Sequence, residues 1–354
     1  MGAIPISAID LFCGAGGLTC GLQKAGINVL AGIDFDGNCR YAFEHNNHAQ
    51  FIKAPIQEIH HEQIDAFYPE NDIRVLVGCA PCQPFSTHAN KVRKVKEGRD
   101  DRWFLLNHFS RLIEESNPDI ISMENVPLLS KQEIFQDFLD TLTQNNYHYD
   151  WQIVHCPQYG IPQNRHRLVL LASRYGRIQL IPPTHTPETY QTVYQAIGNL
   201  NPIKAGESDS TDPLHKSSKL SLINLKRIRQ SKPGGTWKDW DSSLLSECHK
   251  KESGSTYSSV YARMKWDEPS PTITTQFYNY GTGRFGHPVQ DRALSLREGA
   301  ILQTFPSDYS FVDNDKISFK IVGKMIGNAV PVRLGEVIGL SIRQHLDERG
   351  IDYE

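Results

Sequence analysis

The sequence predicts an α/β protein: a doubly wound, mostly parallel sheet joined to a smaller, irregular, β-containing domain. Three observations lead there. Short apolar runs alternate with helical periodicities through the first half, the order that builds a parallel sheet with helices on both faces. A glycine-rich turn, Gly14-Ala15-Gly16-Gly17, joins the first apolar run to the first helical one. After about Arg174, Pro, Ser, Thr and Gly dominate, and a helical pattern returns only near Asp291.

Taken in order, residues 8–12 read as the first strand and 18–25 as the first helix. Residues 29–33 form a second strand, ending at Asp34-Phe35-Asp36. The run 73–77 (IRVLV) is continuously apolar but for Arg74, as expected of a strand covered on both faces. A helix over 104–115 leads past Asn117-Pro118 into a strand over 120–123, and a helix over 134–145 follows. Strands over 151–155 and 168–172 close the series. Beyond it, 272–275 is a short strand candidate, and helices are expected over 296–304, 320–325 and 331–346, the last packing back on the first domain. The expected organisation is 1–175 as the large domain, 176–290 as the smaller one, and 291–354 completing the first.

The 354 residues suit a large domain plus a smaller one. No stretch approaches the roughly 18 consecutive apolar residues of a membrane span, and Met1 to Pro5 lacks the regions of a signal peptide. No membrane association and a cytoplasmic location are therefore expected. Seven cysteines, at 13, 20, 39, 79, 82, 156 and 248, are odd in number and scattered, which argues against a disulfide framework. Net charge is −3, so any nucleic-acid binding must come from local clusters. Two basic runs qualify: 88–102, with Lys91, Arg93, Lys94, Lys96, Arg99 and Arg102, and 216–232, which holds no acidic residue. Either is equally a solvated surface.

The chemistry-bearing residues sit where strands end, the edge at which open α/β sheets bind ligands. Phe12-Cys13-Gly14-Ala15-Gly16-Gly17 lets backbone approach a ligand at a helix N-terminus, although it departs from G-x-G-x-x-G at Thr19. Asp34, about 20 residues on, is placed to grip a ribose diol, and Phe35 to stack on adenine. Together they point to an adenosine-type cofactor. Cys82, in Gly78-Cys79-Ala80-Pro81-Cys82-Gln83-Pro84, is a candidate nucleophile. It must act as thiolate, with a free pKa of roughly 8.5, so the site must supply positive charge. Cys79 and Cys82 also make a C-x-x-C, and a dithiol redox site is an alternative from a different class. A deaminase zinc site fails, because the residue three after Cys82 is Phe85. No metal is expected. Glu124-Asn125 ends another strand; a carboxyl in an apolar cleft can donate a proton near neutrality, or simply cap a helix. Arg165 and Arg167 lie two apart on an extended chain and share a face, suited to a carbonyl, a phosphate or a thiolate.

Together the motifs resemble those of the DNA cytosine-5 methyltransferases, bacterial restriction–modification type, over nearly the whole chain. They run in the family's order: DLFCGAGG at 10–17, APCQPFS at 80–86, ENV at 124–126, QYGIPQNRHR at 158–167, LREGAILQTFP at 296–306 and GNAVP at 327–331. The resemblance implies the S-adenosylmethionine-dependent methyltransferase fold and S-adenosyl-L-methionine as cofactor. Its implied contacts are Phe12, Gly14, Gly16, Asp34, Phe35 and Leu105, with Asn328 and Val330 closing the pocket. It implies a flipped cytosine attacked at C6 by Cys82, with Glu124 on N3 and the 4-amino group, Arg167 on O2 and Arg165 supporting the thiolate side.

The resemblance further implies double-stranded DNA as partner, a mobile loop over 88–102 that closes on it, and a target-recognition domain at 176–290. Lys226-Arg227-Ile228-Arg229 and the run 279–284 are the candidates there for groove contacts. A functional monomer and a cognate restriction endonuclease, linked by genetic association, are expected; a tRNA methyltransferase of the same fold is the alternative within the class. Two positions depart from the family. Ala54-Pro55-Ile56 stands where an acidic residue usually meets the adenine, and Ala80 stands where proline or a bulky residue is common.

Overall fold

The computed structural model describes residues 4–81, 104–251 and 258–353. Its strands are β1 (Ile6–Leu11), β2 (Asn28–Asp34), β3 (Gln50–Lys53), β4 (Ile73–Gly78), β5 (Ile120–Asn125), β6 (His148–His155), β7 (Gln163–Asn164), β8 (His166–Ser173) and β9 (Ser270–Pro271). Seven of them make one sheet in the order β3-β2-β1-β4-β5-β8-β6. The pairs from β3 to β5 are parallel, whereas β8 runs antiparallel to both β5 and β6. The chain steps outward from β1 to β3, then returns to β4 beside β1 and moves the other way. That reversal opens a crevice at the carboxyl ends of β1 and β4, the place where such sheets take ligands.

Every residue of β1 is buried, which fits a strand covered on both faces. Alternation splits it: Ile9 and Leu11 face the apolar side, while Asp10 accepts a hydrogen bond from the Thr19 hydroxyl (2.7 Å) in helix α1 (Gly17–Lys24). The next two helices are α2 (Arg40–Asn47) and α3 (His61–Asp65). Helix α4 (Leu105–Ser116) buries Leu106, Phe109, Leu112 and Ile113; α5 (Glu133–Gln144) buries Phe135, Phe138, Leu139 and Leu142. These helical stripes share one cluster with Ile9, Leu11, Leu76, Ile121, Met123, Leu168 and Leu170. The sequence reading left 37–65 without elements; α2, β3 and α3 lie there.

The helix Val332–Glu348 packs on α1, as expected for the last helix. Glycines set the closeness of that crossing. A Cβ on Gly21 would stand 2.2 Å from the Val332 carbonyl oxygen and 2.5 Å from the Glu336 nitrogen, both backbone. No rotamer change relieves such a clash, so the helices must part. Gly21→Ala is expected to cost about 3 kcal/mol, read by urea denaturation; a loss under about 1 kcal/mol would show that the helices yield freely.

Contacts divide the chain into two compact units: 1–159, 166–184 and 330–354, and then 160–165 with 185–329. Residues 291–329, expected to complete the first domain, cluster with the second unit. That unit is mostly irregular; its parallel β7–β9 ladder is two residue pairs long and ends just before the strand expected at 272–275. It holds two centres. One is aromatic: Trp237, Trp240 and Tyr280 are buried, with Tyr261 packed against them, and the Arg227 guanidinium lies over the Trp240 and Tyr261 rings at 5.3 and 5.4 Å. The other is ionic: Arg292, fully buried, makes two 2.7 Å hydrogen bonds to the carboxylate of Glu298. Residues 319–348 are long and apolar enough to qualify as a span by composition, but they form two helices, Phe319–Asn328 and Val332–Glu348, separated by Ala329, Val330 and Pro331, and are mostly buried.

Candidate active site

Four strand ends supply the site in the first unit. The turn after β1 takes Phe12 (φ 60), Gly14 (φ 51) and Gly16 (φ 86) through left-handed conformations. Glycine adopts these freely; Phe12 does so at a cost, which marks a constrained loop. Gly16 is the N-cap of α1. At the end of β2, Asp34 accepts from the Gly14 N–H (3.0 Å) and the Asp36 N–H (2.8 Å), one on each carboxylate oxygen. The side chain thereby ties the glycine turn to the neighbouring strand. Phe35 next to it is 62 % exposed, large for an aromatic ring. Space above Gly14 is open: an added Cβ would meet nothing within 4 Å. A carboxylate anchored at a strand end, an exposed ring and an open glycine turn fit an adenosine-type cofactor. Phe12 and Leu105, the first residue of α4, pack partly buried against the core cluster, and Val330 is buried in the same unit. Asn328 ends the helix Phe319–Asn328 in the second unit and is exposed.

Two buried ionisable groups adjoin the turn. Burial raises the Asp10 carboxyl to about 7, with the nearby Asp34 charge adding to it and the Thr19 hydrogen bonds opposing it. Burial first, then the Asp10 and Asp34 charges, pushes the Cys13 thiol well above its usual range, so Cys13 is an inert core thiol.

The ends of β4 and β5 bring the carboxylate into the same edge. Glu124, 2 % exposed, lies opposite Val169 in the antiparallel β5–β8 pair. Arg167, two residues before Val169, therefore shares its face as a diagonal neighbour. The Arg167 Nε stands 2.8 Å from Glu124 Oε1, but its N–H is not aimed at that oxygen, which is left buried without a hydrogen-bond donor. The other oxygen, Oε2, accepts from the Cys79 thiol (2.7 Å). Asn125 donates from Nδ2 to the Ala80 carbonyl (3.2 Å), and its Oδ1 accepts from the Val126 N–H (2.8 Å). The turn 79–81 is thus tied to β5 through Asn125 and Glu124. Ala80 itself is buried in the core cluster, as is Ile56 after Pro55.

Arg165 belongs to the second unit. It is 3 % exposed and donates to the carbonyls of Ile273 (3.2 Å) and Ala329 (3.3 Å). Gln163 and Gln303 complete a buried network: Gln163 Nε2 donates to Gln303 Oε1 (2.9 Å), and Gln303 Nε2 donates to the Ile326 carbonyl (2.7 Å). Sequence reasoning passed over Cys79 as a partner of Glu124, and over Asn125, Gln163 and Gln303. Their positions inside recurring motifs were visible, but their partners lie far away in sequence.

Cys82 and the basic residues Lys91, Arg93, Lys94 and Lys96 lie outside the described residues. Among the groove candidates, Arg227 is half-buried, donating to the Leu244 carbonyl and to Ser246 as well as stacking on the aromatic cluster. Ile228 and Tyr280 are fully buried. Arg229 pairs with Asp291 at 3.2 Å; Lys219, Lys226 and Lys232 are exposed. Among the described residues, no group of three His, Cys, Asp or Glu is arranged to hold a metal ion.

The family model of C-5 cytosine-specific DNA methylases matches residues 6–344. The chain belongs to this family. The C-5 methylase is 54 % identical to the Type II methylase M.HgiDII of Herpetosiphon aurantiacus, over 96 % of each chain. It is 29 % identical to the Type II methyltransferase M.Eco47II of Escherichia coli, over 97 % of this chain and 80 % of that one. In fold it resembles the S. pombe Dnmt2 methyltransferase, with a TM-score of 0.62 at 19 % identity over 97 % and 99 % of the two chains. The sheet of the C-5 methylase is accordingly that of the S-adenosylmethionine-dependent methyltransferases, and the protein is an enzyme of the DNA (cytosine-5-)-methyltransferase class.

Proposed function

We propose that this C-5 methylase transfers a methyl group from S-adenosyl-L-methionine to C5 of a cytosine flipped out of double-stranded DNA, through a covalent bond between Cys82 and C6. The observation that carries the reading is Glu124: a buried carboxylate with one oxygen lacking a donor, flanked by the Arg167 cation, at the sheet edge that holds the glycine turn and Asp34. A desolvated acceptor costs stability unless a ligand satisfies it.

Asp34, Phe35 and the turn at Phe12, Gly14 and Gly16 would hold the adenosine part of the cofactor, with Leu105, Asn328 and Val330 completing its pocket. When bound, S-adenosylmethionine supplies an electrophilic methyl group. Cys82 adds as thiolate to C6, and the displaced electron pair makes C5 nucleophilic. Glu124 holds N3 and the 4-amino group, and Arg167 holds O2, so that charge building on the ring is offset by groups already in place. Arg165 supports the thiolate side. Once C5 carries the methyl group and the demethylated cofactor is left as the thioether, loss of the C5 proton to water lets the C5–H electron pair restore the ring double bond and expel Cys82 as thiolate. Target recognition lies within 176–290. The enzyme acts as a monomer in the cytoplasm, and in a restriction–modification setting it protects DNA from a cognate endonuclease.

The test is transfer of labelled methyl from S-adenosylmethionine to duplex DNA, with Cys82→Ser and with duplexes carrying 5-fluorocytosine. Transfer by the wild type, loss of at least about a thousandfold in the serine variant, and a trapped adduct at Cys82 are expected. Transfer to tRNA but not to DNA would move the substrate to RNA, and an active Cys82→Ser would overturn the covalent route.

A further inference from the structure

We propose that Cys79 is a positioning residue of this enzyme, a hydrogen-bond donor that fixes Glu124 with Oε1 turned to the base; the inference rests on the function proposed above. Glu124 has two oxygens in different surroundings. Oε2 receives the Cys79 thiol, while Oε1 stands beside Arg167 without an aligned donor. Rotation of the carboxylate would exchange the two oxygens or swing both away from the base. The thiol removes that freedom, because it is carried by a turn that is itself anchored: Cys79 N–H donates to the Leu11 carbonyl (3.3 Å), and Asn125 holds the Ala80 carbonyl. Cys79 thus connects β1, β4 and β5 at the point where the proposed acid must be aimed, while the guanidinium supplies charge without a directed bond. This gives Cys79 a task unlike that of a C-x-x-C redox partner, since its proton is committed to a carboxylate.

A donor to a charged acceptor is among the stronger hydrogen bonds, and its removal from a buried site is felt at about tenfold or more.

The experiment compares wild type, Cys79→Ala and Cys79→Ser in single-turnover methyl transfer, with cofactor affinity measured by fluorescence quenching. The alanine variant is expected to lose about tenfold in rate. The serine variant, which restores an O–H donor, is expected to recover most of the rate. Cofactor affinity should stay within about twofold in both, since Asp34 and the glycine turn are untouched. Equal rates in all three would overturn the proposal and leave the methyltransferase reading standing. Loss in both variants without serine rescue would likewise overturn it, assigning Cys79 a packing role. Absence of transfer by the wild-type chain itself would overturn the functional reading, and the proposal with it.

Discussion

Glu124→Gln is expected to lower the rate of methyl transfer by two to three orders of magnitude, about what removing one directed group from a developing charge costs. Glutamine keeps the size of the side chain and presents an oxygen to the Cys79 thiol. It cannot, however, carry a proton to N3, and it cancels the charge that Arg167 meets at 2.8 Å. Cofactor binding should change little, because the Asp34 contacts lie at the end of β2. A single-turnover assay beside a cofactor titration separates the two effects. A glutamine variant within about fivefold of wild type would sink the assignment of Glu124 to the base.

The second large effect concerns stability. Glu298→Ala is expected to cost about 3 to 5 kcal/mol, because it strands the fully buried Arg292 charge. It also removes the acceptor for the Ser295 N–H (2.7 Å), half of the capping box that starts the helix Leu296–Leu302. Burial alone would raise this carboxyl, but hydrogen bonds and charge from Arg292 overcome it, holding it at about 2. Beside it, burial depresses His287 to about 4, the Glu298 charge opposing and Arg292, Arg263 and His215 adding. The His287 Nδ1 accepts from the backbone N–H groups of Val289 and Gln290, so the ring is neutral in the fold. A depressed histidine contributes stability present above its unfolded value near 6.5 and lost as pH falls toward 4; Glu298 adds a loss between about 4.5 and 2. Urea midpoints read by tryptophan fluorescence should therefore fall between pH 7 and 5, and less steeply in His287→Gln. A midpoint independent of pH over that window would refute the assignment of a neutral, buried His287.

The parts of the site legible in the sequence are those written at strand ends. Gly14, Gly16, Asp34 and Glu124 announce themselves because an apolar run stops at a residue with no packing reason to be there. What distant side chains do with one another was not legible. Helix α2, RYAFEHNN, carries few apolar residues and no strong stripe, so its periodicity is faint. The antiparallel insertion of β8 depends on pairing that no local run encodes. Arg227 reads as a candidate groove contact, and in the fold its planar guanidinium lies over the Trp240 and Tyr261 rings, a contact that no local pattern announces. Cys79 reads as a bystander to Cys82 until Glu124, 45 positions on, is seen to accept its proton.

The segment Gly160–Arg165 is a short stretch that belongs with 185–329, although the residues on both sides of it do not. Gln163 inside it bonds to Gln303 and to the carbonyl of Leu302. Recombination among relatives is therefore constrained. A crossover at 185 and 329 transplants one half of a buried amide pair and leaves the other half behind, so viable chimeras must exchange 160–165 together with the larger block.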